Sequence, residues 1–223
     1  MMVAVSKLYD EGRINEVKTH LSHTLKYFLA VTLPFIFGAA ILGEPVLRMF
    51  STTEIAEEGY RIIPIVALGF LFLGVQAIVH YILLVTKKTK LLALTWSFSV
   101  PLNLGLNIIV VPWLGIIGAA GTTLLAYLLA MGAICYFSLK EFRFDPNWRF
   151  IGKSLFASAV MSAAVWFISP EGTVSTLLTV ALGVVIYGAV IILLKGFTRN
   201  EYEFFKGLLK RGTPSVPPSE SIE

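Results

Sequence analysis

The sequence predicts an all-α integral membrane protein, a bundle of six transmembrane helices with an amphipathic helix at each end. The chain has 223 residues, of which 56% are hydrophobic and only 14% are charged, and its mean hydropathy is +0.78. Charged residues are rare in six long apolar runs and gather between them. Each run approaches the roughly 20 residues that a helix needs to cross a bilayer. A water-soluble domain would need a more polar surface than this composition supplies.

The six apolar runs follow one another along the chain. The predicted spans are Tyr27–Met49, Ile62–Thr86, Leu91–Pro112, Gly115–Leu139, Ile151–Ile168 and Val174–Leu194. The fifth is the shortest, and Lys153 lies near its start. Pro34, Pro64 and Pro101 fall inside or near the start of spans, where each proline removes a backbone hydrogen bond and favours a kink.

The distribution of basic residues predicts the orientation of the bundle. All but two of the 18 Lys and Arg residues lie in the terminal segments and in the second-to-third and fourth-to-fifth loops; the exceptions are Arg48 and Arg61. The opposite loops carry carboxylates instead, namely Glu44, Glu54, Glu57, Glu58 and Glu171. Since cytoplasmic loops are enriched in Lys and Arg, we expect a multi-pass protein of the cell membrane with both termini in the cytoplasm.

The segments that flank the bundle are predicted to lie at the cytoplasmic surface. Residues 1–26 form an amphipathic segment, because Gly12–Phe28 places apolar side chains at helical spacing between charges. Residues 195–223 hold a second amphipathic helix, in which Thr198 and Glu201 form a capping box. This helix is followed by a Pro/Ser-rich tail that is predicted to be disordered.

Composition and motifs exclude several classes of function. The net charge of +4 is spread over the loops, and no basic face interleaved with aromatic residues indicates nucleic-acid binding. Cys135 is the only cysteine and lies inside a predicted helix, which excludes a disulfide framework or a cysteine-based metal site. The sequence contains no phosphate-binding loop, no HExxH motif and no paired intramembrane carboxylates. We therefore expect a protein that is not an enzyme and has no cofactor or bound metal.

Four polar side chains inside the spans are the candidate cavity-lining residues. Gln76 and His80 are four residues apart and share a face of the second span, and Asn103 and Asn107 do so on the third. Facing lipid, their polar groups would be unsatisfied, so they should point into the bundle or a wet cavity. Two interpretations stay open: hydrogen bonds between helices, each worth about 0.6–2 kcal/mol, or a hydrophilic pathway. His80 lies close to Lys87, which favours a solvated position near the cytoplasmic surface.

A tight turn is predicted between the third and fourth spans. Pro112, Trp113 and Gly115 supply turn-forming residues where the apolar run changes direction. Trp113 is expected in the interfacial belt of aromatic residues.

Small residues after this turn are predicted to let two helices approach closely. They recur at four-residue spacing in two series, one of Gly115, Ala119 and Thr123 and one of Gly118 and Thr122. Together with Gly121, these glycines could be mistaken for a nucleotide-binding fingerprint. They lack the βαβ context and the following acidic residue of such a motif, so Gly115, Gly118 and Gly121 are predicted to serve helix packing.

Several stretches resemble a known family of transporters. They are "SKLYDEG", "TLPF", "LLVTKKTK" and "PLNLGLNIIVVPWLGIIGAAGTTLLAY", followed by a basic loop and two further spans. In this order they resemble the polysaccharide exporters, the O-antigen and teichoic-acid type flippases of the multidrug/oligosaccharidyl-lipid/polysaccharide (MOP) superfamily. The resemblance extends from about Val5 to Arg211, and Asn103–Tyr127 is its most specific part.

The resemblance implies a transporter of lipid-linked oligosaccharide in polysaccharide biosynthesis. Family members have two lobes of six helices, usually followed by two extra helices, and the lobes rock to give alternating access. By order, residues 27–139 resemble four helices of the second lobe and residues 140–194 the two extra helices. The implied partners are the lipid bilayer, the lipid-linked oligosaccharide and a second polypeptide that could supply the N-terminal lobe. Asn103 and Asn107 are carried over as cavity-lining positions.

Other functions remain open at this point. The chain could be a non-transporting membrane subunit or a truncated gene product, since the spans of a first lobe are missing and no Lys or Arg lies deep in the predicted spans to bind a pyrophosphate. It could also be a fragment of a multidrug/cation antiporter, although the absence of intramembrane Asp or Glu argues against cation coupling.

Overall fold

The computed structural model describes residues 2–168, 170 and 172–197, and they fold into eight helical segments without a strand. The helices are α1 (Met2–Asp10), α2 (Ile14–Phe50), α3 (Thr53–Gly59), α4 (Ile63–Val79), α5 (Tyr81–Val85), α6 (Thr89–Glu141), α7 (Trp148–Trp166) and α8 (Thr173–Leu193). The predicted all-α class is confirmed. The predicted amphipathic helix of the tail, from Thr198 onward, lies outside the described residues.

Helix α2 is the central element of the fold. Its apolar residues repeat every four positions from Val17 to Leu33 without interruption, and this stripe is buried. The helix predicted over Gly12–Phe28 continues into the first span without a break, because one continuous buried stripe supports one helix of 37 residues. Its position at the cytoplasmic surface stays a prediction. Pro34 and Pro45 lie within the helix and do not end it. Helices α4, α7 and α8 all pack on α2.

The second predicted span consists of α4 and α5, which meet at His80. Helix α4 packs on α2 on one side and on α6 on the other. On the α2 side, Gly74 leaves room for the ring of Phe28, which occupies the space that a β-carbon at position 74 would need. The largest apolar cluster of the described residues joins α1, α2, α4, α5 and the end of α6.

Helix α6 is a hairpin with two arms. Gly115 has φ 57° and ψ −141°, which interrupts the helical path between residues 89–114 (the first arm) and 116–141 (the second arm). The Nζ atom of Lys88, before the first arm, lies 2.5 Å from a carboxylate oxygen of Glu141, at the end of the second. This ion pair and the side-chain hydrogen bonds between the arms show that the arms run antiparallel. They correspond to the third and fourth predicted spans.

The fifth and sixth predicted spans correspond to α7 and α8. The side chain of Asn147 accepts a hydrogen bond from the backbone N–H of Phe150 and caps the start of α7. Helices α7 and α8 pack on each other and on α2. The Ser154 and Tyr187 hydroxyl groups lie 2.9 Å apart and link the two helices.

Among the described residues, four helical stretches are long and apolar enough to cross a membrane: α2, α4 with α5, α6 and α8. The hairpin places two predicted spans in α6. Helix α7 forms where the fifth span was predicted but is not one of the four. A membrane protein with several spanning helices is therefore confirmed, whereas the count of six crossings stays a prediction.

Candidate functional site

The candidate site is a polar cluster between the two arms of α6. The side-chain amide of Asn103 donates to the Thr123 hydroxyl over 3.4 Å, and the Thr122 hydroxyl lies 2.9 Å from Oδ1 of Asn107. Within the first arm, Nδ2 of Asn107 donates to Oδ1 of Asn103 over 3.0 Å and to its backbone carbonyl over 2.9 Å. Two amides of one arm and two hydroxyl groups of the other thus form one network. We call Asn103, Asn107, Thr122 and Thr123 the amide–hydroxyl cluster.

The turn at Gly115 brings these four residues together. Along the two arms, Asn107 and Thr122 lie at nearly the same distance from Gly115 in residues. Asn103 lies about one helical turn further from Gly115 than Thr123 does. With a rise of 1.5 Å per residue, Asn107 lies about 12 Å and Asn103 about 18 Å from the turn. In a hydrocarbon core of about 30 Å, the cluster therefore lies near the middle of the span.

The hydrogen bonds of the cluster leave one donor available. Both N–H groups of the Asn107 amide are used, but the Asn103 amide has one partner for its two N–H groups among the described residues. Asn103, Asn107 and Thr123 are half-buried, whereas Thr122 is buried. The cluster can therefore hold the arms together and still present a hydrogen-bond donor to a ligand at membrane depth.

Small residues of the second arm form the contact with α4. A buried stripe repeats every four residues along this arm: Gly118, Thr122, Ala126, Ala130, Ile134 and Ser138. The second arm contacts α4 at two places, since Gly69 packs against Leu124 and Tyr127 and the Ser138 hydroxyl donates to the Val79 carbonyl over 3.3 Å. The stripe lets α4 approach the arm closely.

The three glycines after Pro112 differ in their surroundings. A β-carbon at Gly118 would lie 3.0 Å from a side-chain carbon of Val110, on the opposite arm, so this glycine allows the arms to approach each other beside the turn. A β-carbon at Gly115 would meet no atom within 4 Å. Glycine is favoured there because the turn requires a positive φ. A β-carbon at Gly121 would likewise meet no atom within 4 Å. A helix-packing role for Gly121 stays a prediction.

Gln76 and His80 lie apart from the amide–hydroxyl cluster. Gln76 sits on α4 between the two contacts with the second arm, is 2% exposed, and its Oε1 has no hydrogen-bond partner among the described residues. In this conformation Gln76 is enclosed, and its role as a cavity-lining residue stays a prediction. His80 is half-buried at the junction of α4 and α5, with its ring centroid 4.5 Å from that of Tyr81.

A second polar region lies at the opposite end of the bundle from the Lys88–Glu141 pair. Arg48 lines a cavity of about 600 Å³ at the ends of α2, α7 and α8. Its Nη2 atom lies 2.7 Å from a Glu44 oxygen and 3.2 Å from a Glu57 oxygen. Two carboxylates therefore compensate the charge of Arg48, one of the two basic residues that the sequence places on that side.

Two features of these sites were missed by the sequence reasoning. The first is the pairing of Thr122 and Thr123 with the asparagines, since the sequence alone indicates only small packing residues at these positions. Thr122 and Asn107 lie at nearly equal distances from Gly115 along the chain, which indicates a hydrogen-bonded pair once a hairpin is assumed. The second is Lys26, which the sequence places before the first span but which is 2% exposed and lies among aromatic rings.

Within residues 2–168, 170 and 172–197, no group of three or more His, Cys, Asp or Glu side chains could hold a metal ion.

Comparison with known proteins agrees with this architecture. The MatE family model matches residues 1–109. No curated protein matches the chain. Among solved structures, the chain is similar to "Lipid II flippase MurJ, inward closed conformation", with a TM-score of 0.71 and 21% sequence identity. This similarity covers 93% of the chain but 42% of the MurJ chain, so the protein spans less than half the length of that relative.

The MurJ likeness concerns the fold, and the MatE match concerns the N-terminal part of the chain, from α1 to the first arm of α6. Residues 1–109 thus match the MatE family model, and the fold of the chain is similar to that of part of MurJ.

Proposed function

We propose that the chain is part of a flippase that moves a lipid-linked oligosaccharide across the cell membrane during polysaccharide biosynthesis. The observation that carries the proposal is the fold shared with a lipid II flippase over nearly the whole chain. The MatE match of residues 1–109 supports a transporter of the same superfamily. The sequence motifs that resemble polysaccharide exporters favour an oligosaccharide as the cargo.

The amide–hydroxyl cluster is the part of the chain that best suits a polar headgroup in transit. A sugar or phosphate group that crosses the hydrocarbon core needs hydrogen-bonding partners to replace water. Asn103 has an N–H group without a partner among the described residues, at about the middle of the span. In this proposal Asn103 and Asn107 line the pathway, and their bonds to the second arm keep the amides oriented.

A second polypeptide is proposed to supply the other lobe of the transporter. The similarity to MurJ covers 42% of that protein, and alternating access needs two bodies that move against each other. The first arm of α6 exposes a largely apolar surface, including Phe98, Leu104 and Ile108. In the assembled transporter, this arm would face the second lobe on one side and lipid on the other.

Both termini are proposed to lie in the cytoplasm. Lys26, Lys88 and Lys153 lie at one end of the bundle and the Arg48–Glu44–Glu57 group at the other, in agreement with the charge asymmetry of the sequence. A cysteine in place of Glu54, in a Cys135→Ser background, is expected to react with a membrane-impermeant thiol reagent in intact cells. Protection of this cysteine until the membrane is permeabilised would reverse the orientation.

Transport itself is tested with vesicles. The chain, purified in mild detergent with any polypeptide that remains bound, is reconstituted into liposomes that contain a fluorescent lipid-linked oligosaccharide. We expect faster movement of the lipid between leaflets than in protein-free vesicles, measured as the loss of protection from a membrane-impermeant quencher. Movement no faster than in protein-free vesicles would instead support a non-transporting membrane subunit or a truncated product.

A further inference from the structure

The seam between α2 and the α7–α8 pair contains an apolar cavity of about 560 Å³, which extends from Ala30 to Val46 on α2 and from Val180 to Tyr187 on α8. Leu42 of α2 packs against Met161 and Val165 of α7 and lines this cavity with them. At the other end of the seam, Phe150 of α7 and Ile191 of α8 belong to a buried apolar cluster against which Ala30 of α2 packs.

At that other end, Lys26 lies in a cage of aromatic rings. Its side chain is 2% exposed, and its Nζ atom lies 5.0 Å from the ring centroid of Phe150 and 5.2 Å from that of Phe197. The two rings lie 5.6 Å apart. An ammonium group within about 6 Å of a ring centroid is attracted by the negative face of the ring. Lys26 therefore joins α2 to the start of α7 and to the segment after α8.

The chain segment that supplies Phe197 is held in place by other bonds. The Nζ atom of Lys153 donates to the backbone carbonyl of Lys195 over 2.9 Å. The backbone N–H of Gly196 donates to the Ile191 carbonyl over 2.9 Å, and a β-carbon at Gly196 would lie 2.7 Å from a side-chain atom of Ile191. The end of α8 is thus folded back so that Phe197 reaches Lys26.

A buried ammonium group has a cost that a hydrocarbon side chain of the same length would avoid. Methionine at position 26 would fill much of the same space without this cost. If Lys26 were only a core residue, Lys26→Met would leave the seam intact or stabilise it. If the charge of Lys26 fastens this end of the seam, the same change opens the seam there.

We propose that Lys26, Phe150 and Phe197 form a clamp that fastens the ends of α7 and α8 to α2, so that the three helices move as one body. The clamp acts at the end of the seam beyond the apolar cavity. It concerns the attachment of α7 and α8 only, and does not depend on which substrate the protein transports or on whether it transports one.

The clamp is tested by thiol labelling in a Cys135→Ser background. The reporter is Ile191→Cys, because Ile191 is 2% exposed, packs with Phe150 and lies beneath the folded-back end of α8. We expect Lys26→Met to raise the labelling rate at Cys-substituted position 191 by about tenfold, as expected for the loss of a desolvated cation–π contact. Lys26→Arg keeps a cation in the cage and is expected to preserve protection.

Two controls make the test specific. Lys18→Met alters a half-buried lysine two turns earlier on α2 and should leave the labelling rate unchanged. A second reporter, Leu42→Cys in the cluster at the far end of the seam, should stay protected in the Lys26→Met variant. Unchanged labelling at position 191 in Lys26→Met, an equal rise in Lys18→Met, or an equal rise at position 42 would each overturn the proposal.

Discussion

Gly115→Ala is expected to destabilise the protein by about 1–3 kcal/mol, the cost of holding a residue with a β-carbon in a backbone conformation that suits glycine. Gly115 has φ 57° and ψ −141°, and the reversal of α6 occurs at this residue. The arms that it connects carry the amide–hydroxyl cluster, so a strained turn also disturbs the register of that cluster. The measurement is the thermal unfolding midpoint of the purified protein in detergent.

Gly121→Ala is the matched control, six residues further along the same helix. Gly121 has helical geometry and no neighbour within 4 Å. Alanine there is expected to leave stability unchanged or to raise it by up to about 1 kcal/mol. The sign of the change in stability caused by Gly115→Ala distinguishes a hairpin from a continuous helix. In a continuous helix over Thr89–Glu141, alanine at position 115 would stabilise as it does at position 121, and this result would exclude the hairpin.

Gly74→Leu is expected to destabilise the packing of α4 on α2 by at least about 1–3 kcal/mol, since overpacked cores lose energy to displaced side chains. The ring of Phe28 occupies the position of a β-carbon at residue 74, so any side chain must displace it from the largest apolar cluster. The thermal unfolding midpoint should fall, and tryptic cleavage within the cluster should become faster.

The control for this change is Gly132→Leu on the second arm of α6. Gly132 is exposed and a β-carbon there would meet no atom within 4 Å, so leucine adds an apolar side chain to an exposed surface. We expect no loss of stability. Equal unfolding midpoints for the two variants would mean that α4 does not approach α2 as closely as the structure indicates.

The hydropathy pattern predicted where the helices lie because the bilayer imposes a minimum length on every apolar run. It could not predict where α2 begins. The helical spacing of apolar residues predicted a helix over Gly12–Phe28, and the charges within it favoured the interface. The structure shows that this helix begins at Ile14 and is continuous with the first span, because a stripe of every fourth residue from Val17 onward packs on the other helices.

The candidate site was predicted in part. Asn103 and Asn107 could be predicted as site residues because amides are costly in hydrocarbon, and Gly115 could be predicted as a turn residue. The pairing with Thr122 and Thr123 depends on the register of two antiparallel arms, which the turn fixes and which local sequence does not reveal. The position of Lys26 could not be predicted, because the rings near its Nζ atom belong to Phe150 and Phe197, which are distant in the sequence.

The central claim is that the two asparagines line a transport pathway and do not only join the arms of α6. It is tested by measuring the movement of the fluorescent lipid-linked oligosaccharide in vesicles for two variants. Asn103→Leu with Asn107→Leu removes the amides. Thr122→Val with Thr123→Val removes their partners across the hairpin and keeps the amides; Thr122 also lies 2.9 Å from the Ala119 carbonyl, within its own arm.

We expect the double asparagine variant to move the lipid no faster than protein-free vesicles, and the double threonine variant to retain most of the activity. Each interhelical bond that the threonine variant loses is worth only about 0.6–2 kcal/mol, so both proteins should remain folded. Transport at the unaltered rate by the asparagine variant would contradict the pathway role. Equal loss of transport in both variants would show that the cluster acts by holding the two arms together.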